Sequence, residues 1–152
     1  MKIRKFQKKD AKKVSNLIIK NQCEILSKYY PKKVIDFFCR RRTPAGILEA
    51  SKKRDYYVAV EGDKILGING LKDNKVKTMF VDPRYLEKGV GKKLIKNLEN
   101  IAKKRKIKKL IVHSTPYAER FYKKCGFKKI KKIVSSSKNI KWPEIIMEKR
   151  LK

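Results

Sequence analysis

The chain is short of histidine, cysteine and acidic residues. Its 152 residues hold one histidine, His113, which excludes a histidine-rich metal site. The three cysteines, Cys23, Cys39 and Cys125, are odd in number and fit no metal-ligand spacing. Each falls among apolar residues, so they are expected reduced and buried. No metal is expected. No apolar run approaches the roughly 18 residues of a membrane-spanning helix, and no signal-type apolar core follows the basic start Met1–Phe6. The expected location is cytoplasmic, with no membrane partner. Glutamine is scarce too, Gln7 and Gln22 only. That suits a heat-adapted chain, but the glutamate enrichment that usually goes with it is missing.

Acidic residues number 14 against 44 Lys and Arg, a formal charge of +30. Such a field attracts polyanions and keeps a protein soluble. It admits contact with nucleic acid or a ribonucleoprotein. The basic residues run through the whole chain, however, and that distribution favours a solvated surface.

What is present is enough for a core. Hydrophobic residues make up 41%, and the length suits one domain over residues 1–152. Lys2 to Phe6 reads as a strand with Ile3 and Phe6 inward. Asp10 is placed as an N-cap. Apolar residues at helical spacing then run from Val14 to Leu26, and Tyr29-Tyr30-Pro31 ends that unit. Val34 to Phe38 and Ile47 to Ala50 give two short helices, the second opened by Thr43-Pro44. This helical region reads as a lid or acceptor-binding wall, with Tyr29 and Tyr30 lining a pocket or anchoring the lid. Arg40-Arg41-Arg42 is read as surface charge in preference to an anion pocket.

Tyr56–Val60, Ile65–Leu71 and Val76–Val81 form an antiparallel meander turned at Glu61–Lys64 and Asp73-Asn74. A helix after Gly91 carries Leu94, Ile95, Leu98, Ile101 and Ala102 on one face. Leu110–Val112 follows as a strand parallel to the one before that helix. Ser114-Thr115-Pro116 starts a further helix bearing Ala118, Phe121, Tyr122 and Cys125, capped by Gly126. Phe127–Val134 and Ile140–Met147 close the chain around a loop, Ser135–Asn139. Pro143 implies an edge position or a bulge.

Val81-Asp82-Pro83-Arg84-Tyr85-Leu86-Glu87-Lys88-Gly89-Val90-Gly91 links strand to helix. Glycines admit a ligand to the backbone, and a helix's first N–H groups have no intrahelical partners. Bound phosphate is one reading of this turn; a tight structural turn is the other.

Two motifs resolve the choice by resemblance. Leu86-x-x-Gly89-x-Gly91, five residues after Val81, resembles the Arg/Gln-x-x-Gly-x-Gly/Ala of the GNAT N-acetyltransferases. Ala118-x-x-Phe121-Tyr122-x-x-x-Gly126-Phe127 matches the Ala-x-x-Phe-Tyr-x-x-x-Gly-Phe of the same superfamily. The likeness covers about Tyr57 to Leu151. It implies an α/β (α+β) fold with a mixed, mostly antiparallel sheet. A central parallel pair would splay around the cofactor, with helices on both faces.

The resemblance further implies acetyl-CoA as co-substrate and a primary amine, on a small molecule or a protein, as acceptor. The cofactor would bind along the turn from Leu86 and Glu87 onward, with its diphosphate on the backbone N–H groups of Lys88, Gly89, Val90, Gly91 and Lys92. The Met79 N–H would polarise the thioester carbonyl, Val81 would pair with the pantetheine arm, and Tyr122 would protonate the departing thiolate. A core tyrosine is the alternative for Tyr122. Lys92 could also meet the cofactor's 3′-phosphate, whereas Lys93 and Lys96 read as a solvated face.

The sequence departs from the pattern at four places, one of them Thr115, where many members have Asn. Leu86 offers no side-chain hydrogen bond, Glu87 stands where glycine is common, and Lys75 replaces a carboxylate on the strand before the turn. His113, Glu24 or water are the remaining candidates for the base. The reaction expected is direct attack in a ternary complex, by a monomer or homodimer. The rival reading is a catalytically weak relative that binds nucleic acid or the ribosome.

Overall fold

The computed structural model describes Met1–Lys152. Its elements run β1 (Lys2–Lys5), α1 (Ala11–Glu24), α2 (Lys32–Arg40), α3 (Pro44–Ser51), β2 (Asp55–Glu61), β3 (Lys64–Lys72) and β4 (Lys75–Val81). They continue with α4 (Val90–Lys104), β5 (Lys109–Ser114), α5 (Glu119–Lys124), β6 (Lys128–Ser137) and β7 (Ile140–Arg150). All seven strands join one sheet in the order β1-β2-β3-β4-β5-β7-β6. Every neighbouring pair is antiparallel except β4–β5. The mixed, mostly antiparallel sheet with a central parallel pair is therefore as expected.

Strand alternation decides which helix covers which face. Tyr56, Val58 and Ile68 point to one side, where Val14, Leu17 and Ile18 of α1 and Ile47 of α3 pack on them. Tyr57, Leu71, Val76, Leu110 and Val112 point to the other, under Ile95, Leu98 and Ala102 of α4. Because β3 is covered on both faces, its interior is buried without a break. Each large side chain so buried is worth about 2 kcal/mol of transfer free energy. Lysines 128, 129, 131 and 132 lie exposed along β6, the sheet's last strand, and a lysine-rich edge discourages strand addition. Part of the +30 charge thus sits where it blocks edge pairing.

Four sequence expectations need correction, and the edge position expected at Pro143 holds locally. Asp10 does not cap α1: it has helical dihedrals and no capping bond there. Its carboxylate instead accepts from the Gln7 N–H at 2.8 Å and pairs with both terminal nitrogens of Arg4, at 2.8 and 3.0 Å. The cysteines are free but not all buried; Cys23 is exposed, and Cys39 and Cys125 are half-buried. Ser135–Ser137 belong to β6, and the turn is only Lys138-Asn139, both at positive φ, as a two-residue primed hairpin requires. Pro143 sits on an inner strand. Yet β5 stops pairing at Ser114–Ile145, so β7 is locally an edge at Pro143, and its missing N–H costs no ladder bond.

The fourth correction concerns Arg42. It is half-buried, its guanidinium stacks 5.5 Å from the Phe80 ring centre, and its Nη1 lies 3.4 Å from Thr78 Oγ1. It is not surface charge.

No helix is long and apolar enough to cross a membrane.

Candidate active site

The site begins at a fork. β4 and β5 face each other only at Lys75–Ile111 and Val76–Val112. Beyond Val76 the strands diverge, and Lys77 to Val81 remain part-exposed in the middle of a seven-stranded sheet. The divergence coincides with a bulge. Lys77 pairs with Gly70 and Met79 with Asn69, so Thr78 is the extra residue. Thr78 has φ 59°. A β-branched residue in the left-handed region is an outlier, at a cost of about 1–3 kcal/mol. The gain is a slot bordered on one side by backbone that has no sheet partner.

The glycine turn closes one end of the slot. Asp82, buried, accepts from the Arg84 N–H at 2.9 Å and holds the turn Pro83–Tyr85. Asn21 Nδ2 donates to the Val81 carbonyl at 2.7 Å, which ties α1 to the end of β4. The chain then passes Glu87 at φ 60° and Gly89 at φ 83° before α4 starts at Val90. No side chain caps this helix, so its first N–H groups are free for an anion.

The two glycines serve different ends. Gly89 is exposed, and a Cβ there would meet nothing within 4 Å. The left-handed backbone is what requires glycine at this position. A Cβ on Gly91 would stand 3.0 Å from the Phe121 ring and 3.2 Å from the end of Met79. Gly91 is therefore an internal contact that lets α4, α5 and β4 come together. The turn's left-handed pair, Glu87 and Gly89, also explains why glycine suits the position of Glu87.

The other expected site residues fall around these features. Val90 is buried against Ala59 and Leu66. Leu86 is half-buried, and Lys88 and Lys92 are exposed beside the turn. Met79 is half-buried and packs against the cores on the α4 face. Tyr122 is 3% exposed, between the rings of Phe121 and Phe127. It shares a cluster with Val76 and Val112, the last facing pair at the fork. Burial pushes its phenol well above the usual value, with Cys125 adding to the shift. Tyr122 is protonated throughout the neutral range.

Of the candidate bases, Glu24 is exposed and lies near Arg84 of the turn. His113 is at the end of β5, and its Nδ1 is 3.4 Å from Glu144 Oε1. Glu144, on β7, also accepts from the Ser135 hydroxyl. Sequence reasoning missed Glu144. The signal available was the alternation Trp142, Glu144, Ile146 on one face of β7. Opposite α4, that face carries Trp142 against α2. Tyr30 anchors α2 there by donating to the Pro143 carbonyl at 3.0 Å, while Tyr29 is exposed against Tyr117.

The model of the acetyltransferase (GNAT) domain matches residues 25–150. The chain belongs to this family. Membership in the GNAT acetyltransferases makes it an acyltransferase that uses acetyl-CoA. Solved structures agree in fold. A GCN5-related N-acetyltransferase from Rhodopseudomonas palustris is similar at TM-score 0.92 and 20% identity, over 99% of this chain and 95% of that one. PaiA N-acetyltransferase from Thermoplasma acidophilum, solved with coenzyme A, gives 0.79 and 23% over 98% of both chains. An aminoglycoside 6′-N-acetyltransferase complexed with coenzyme A gives 0.71 and 17% over 99% and 97%. No curated protein sequence matches the chain.

Proposed function

We propose that the chain is an N-acetyltransferase that passes the acetyl group of acetyl-CoA directly to a primary amine, in a domain spanning residues 1–152. The observation that carries the proposal is the fork after Val76–Val112, which opens beside an uncapped helix N-terminus. Backbone N–H groups of Lys88 to Lys92 hold the diphosphate, helped by the dipole of α4. Leu86 and Glu87 shape the turn through their backbone, since neither side chain favours an anion. Val81 pairs with the pantetheine arm as a missing strand would.

At the reacting carbon the residues divide the work. The Met79 N–H stabilises the oxyanion that develops as the amine nitrogen bonds to the carbonyl carbon. Glu144, directly or through His113, takes the proton that the nitrogen must lose. Tyr122 gives its hydroxyl proton to the thiolate as the carbon–sulfur bond breaks, and is reprotonated from solvent. No acyl-enzyme step is needed. Burial holds the Cys125 thiol above its usual value despite Lys149 nearby, so little thiolate forms.

The test is thiol release from acetyl-CoA over a panel of amines. Turnover above the rate of hydrolysis supports the proposal. Cofactor binding with no transfer to any amine would favour a binding module instead.

A further inference from the structure

On the sheet face opposite α4, beside Met79, lies a group of donors with no anion. Arg42 follows α2, Arg54 precedes β2, and Tyr56 lies on β2. All three converge on one oxygen, Thr78 Oγ1. Arg42 Nη1 is 3.4 Å from it, Arg54 Nη1 3.5 Å and Tyr56 Oη 3.2 Å. The Tyr56 and Thr78 hydroxyls can each donate to the other, and at 3.4 and 3.5 Å one neutral hydroxyl is a long, weak acceptor for two guanidiniums. Arg54 Nε is buried with no partner at all. Neither guanidinium joins an ion pair. The carboxylate next in sequence, Asp55, is engaged by Arg105 at 2.9 Å.

Lys77, on the same strand as Thr78, adds a third cation. Its pKa is lowered by burial and by Arg54, Lys75 and Lys72, and Glu144 opposes that shift. Burial and the neighbouring Arg41 and Arg54 likewise lower Arg42, with Tyr56 opposing. Half-buried cations without a counter-charge are costly. Two forked guanidiniums are suited to the oxygens of a carboxylate or phosphate.

We propose that Arg42 and Arg54, with Thr78 and Tyr56, form the acceptor subsite for an oxyanion, so that the acceptor is an amine carrying a carboxylate or phosphate. The subsite adjoins Met79, where the thioester carbonyl is placed by the function proposed above, and this inference rests on that reading. Across the fork the His113–Glu144 pair offers the negative pole for the amine. The face is therefore polarised for a zwitterionic acceptor, with cations at the bulge and a carboxylate in the first half of β7.

The experiment compares matched acceptors: an α-amino acid against its carboxamide, and an aminoalkyl phosphate against the parent amino alcohol. Wild type, Arg42→Gln, Arg54→Gln and a charge-matched control, Lys103→Gln/Lys104→Gln, are assayed by thiol release. The expected result is a preference of at least about tenfold in kcat/KM for one anionic member of a pair. Either arginine variant should raise KM for that acceptor about tenfold or more, with kcat and coenzyme A affinity nearly unchanged. The control should keep wild-type values. Which pair shows the effect tells carboxylate from phosphate.

Equal use of the neutral partners, unaltered by the arginine variants, would overturn the subsite and leave the acetyltransferase reading standing. If no amine is turned over, thermal melting with acetate and with inorganic phosphate decides separately. A rise in Tm seen in wild type and control but lost in both arginine variants supports the subsite. An equal rise in all of them overturns it.

Discussion

Val76 and Val112 are the last residues to face each other in the only parallel strand pair of the sheet. One residue beyond Lys77, the bulge at Thr78 turns β4 away from β5. Tyr122 and Met79 pack on the α4 side of this fork, and Arg42, Arg54 and Tyr56 meet Thr78 on the other. A single break in register thus separates the proposed cofactor side from the proposed acceptor side.

Tyr122→Phe should lower kcat by about 10²–10⁴-fold. The ring keeps its place between Phe121 and Phe127, so Tm and coenzyme A affinity should change little. Steady-state thiol release with calorimetry on the same preparation measures both. Wild-type turnover would remove the phenol from proton transfer.

Glu144→Gln tests the proton acceptor that the amine needs. It should cut kcat by about 10²-fold at neutral pH, and the loss should shrink as pH rises and more acceptor arrives as free amine. His113→Asn should give a smaller loss. A flat ratio of variant to wild type across pH would point to solvent water as the acceptor.

Glu87→Gly removes both a left-handed non-glycine residue, at φ 60°, and a carboxylate beside the diphosphate turn. A left-handed residue with a Cβ costs about 1–2 kcal/mol, partly offset by glycine's unfolded-state entropy. Tm should not fall, and coenzyme A should bind about two- to fivefold more tightly. Weaker binding would mean that Glu87 contributes to the cofactor site through its side chain.

Asp10 gives the acid limb of stability. Burial alone would raise its pKa, but hydrogen bonds from Arg4 and the Gln7 N–H, and Arg4's charge, carry it below the usual value. A depressed folded-state pKa stabilises the fold above the unfolded value near about 3.9. That stability is lost as pH falls through the folded value. Asp10→Asn should cost about 2 kcal/mol at pH 7, and the gap to wild type should close below about pH 4. Urea melts at several pH values measure it. A gap that persists in acid would show that packing, and not charge, is what the substitution removes.

Much of this arrangement was legible in the sequence, for identifiable reasons. The unbroken apolar run Tyr56–Val60 follows from a strand covered on both faces, helical spacing in Leu94–Ala102 from a helix covering one of them, and the Thr43 cap did form, accepting from the Gly46 N–H at 3.1 Å. The glycine turn was visible because left-handed backbone favours glycine. Thr78 was invisible for the converse reason: a threonine in a strand-like run gives no sign of a bulge. Arg42 stood in a basic triplet and looked solvent-facing, and only its tertiary contacts with Phe80 and Thr78 of β4 turn it inward. Glu144 could be placed on a face but not in a site, because its meeting with His113 depends on the β5–β7 register, which pairing and not local pattern sets.

The most direct measurement on the fork is calorimetric titration of the protein with coenzyme A and acetyl-CoA, wild type beside Gly89→Val. A Cβ at Gly89 meets nothing within 4 Å, so the effects expected there come from left-handed strain and from the space a ligand would occupy. One coenzyme A per chain, with affinity reduced about tenfold or more in the variant, is the expected result. No heat at about millimolar cofactor, or equal affinity in the two proteins, would contradict a coenzyme A site built on this turn.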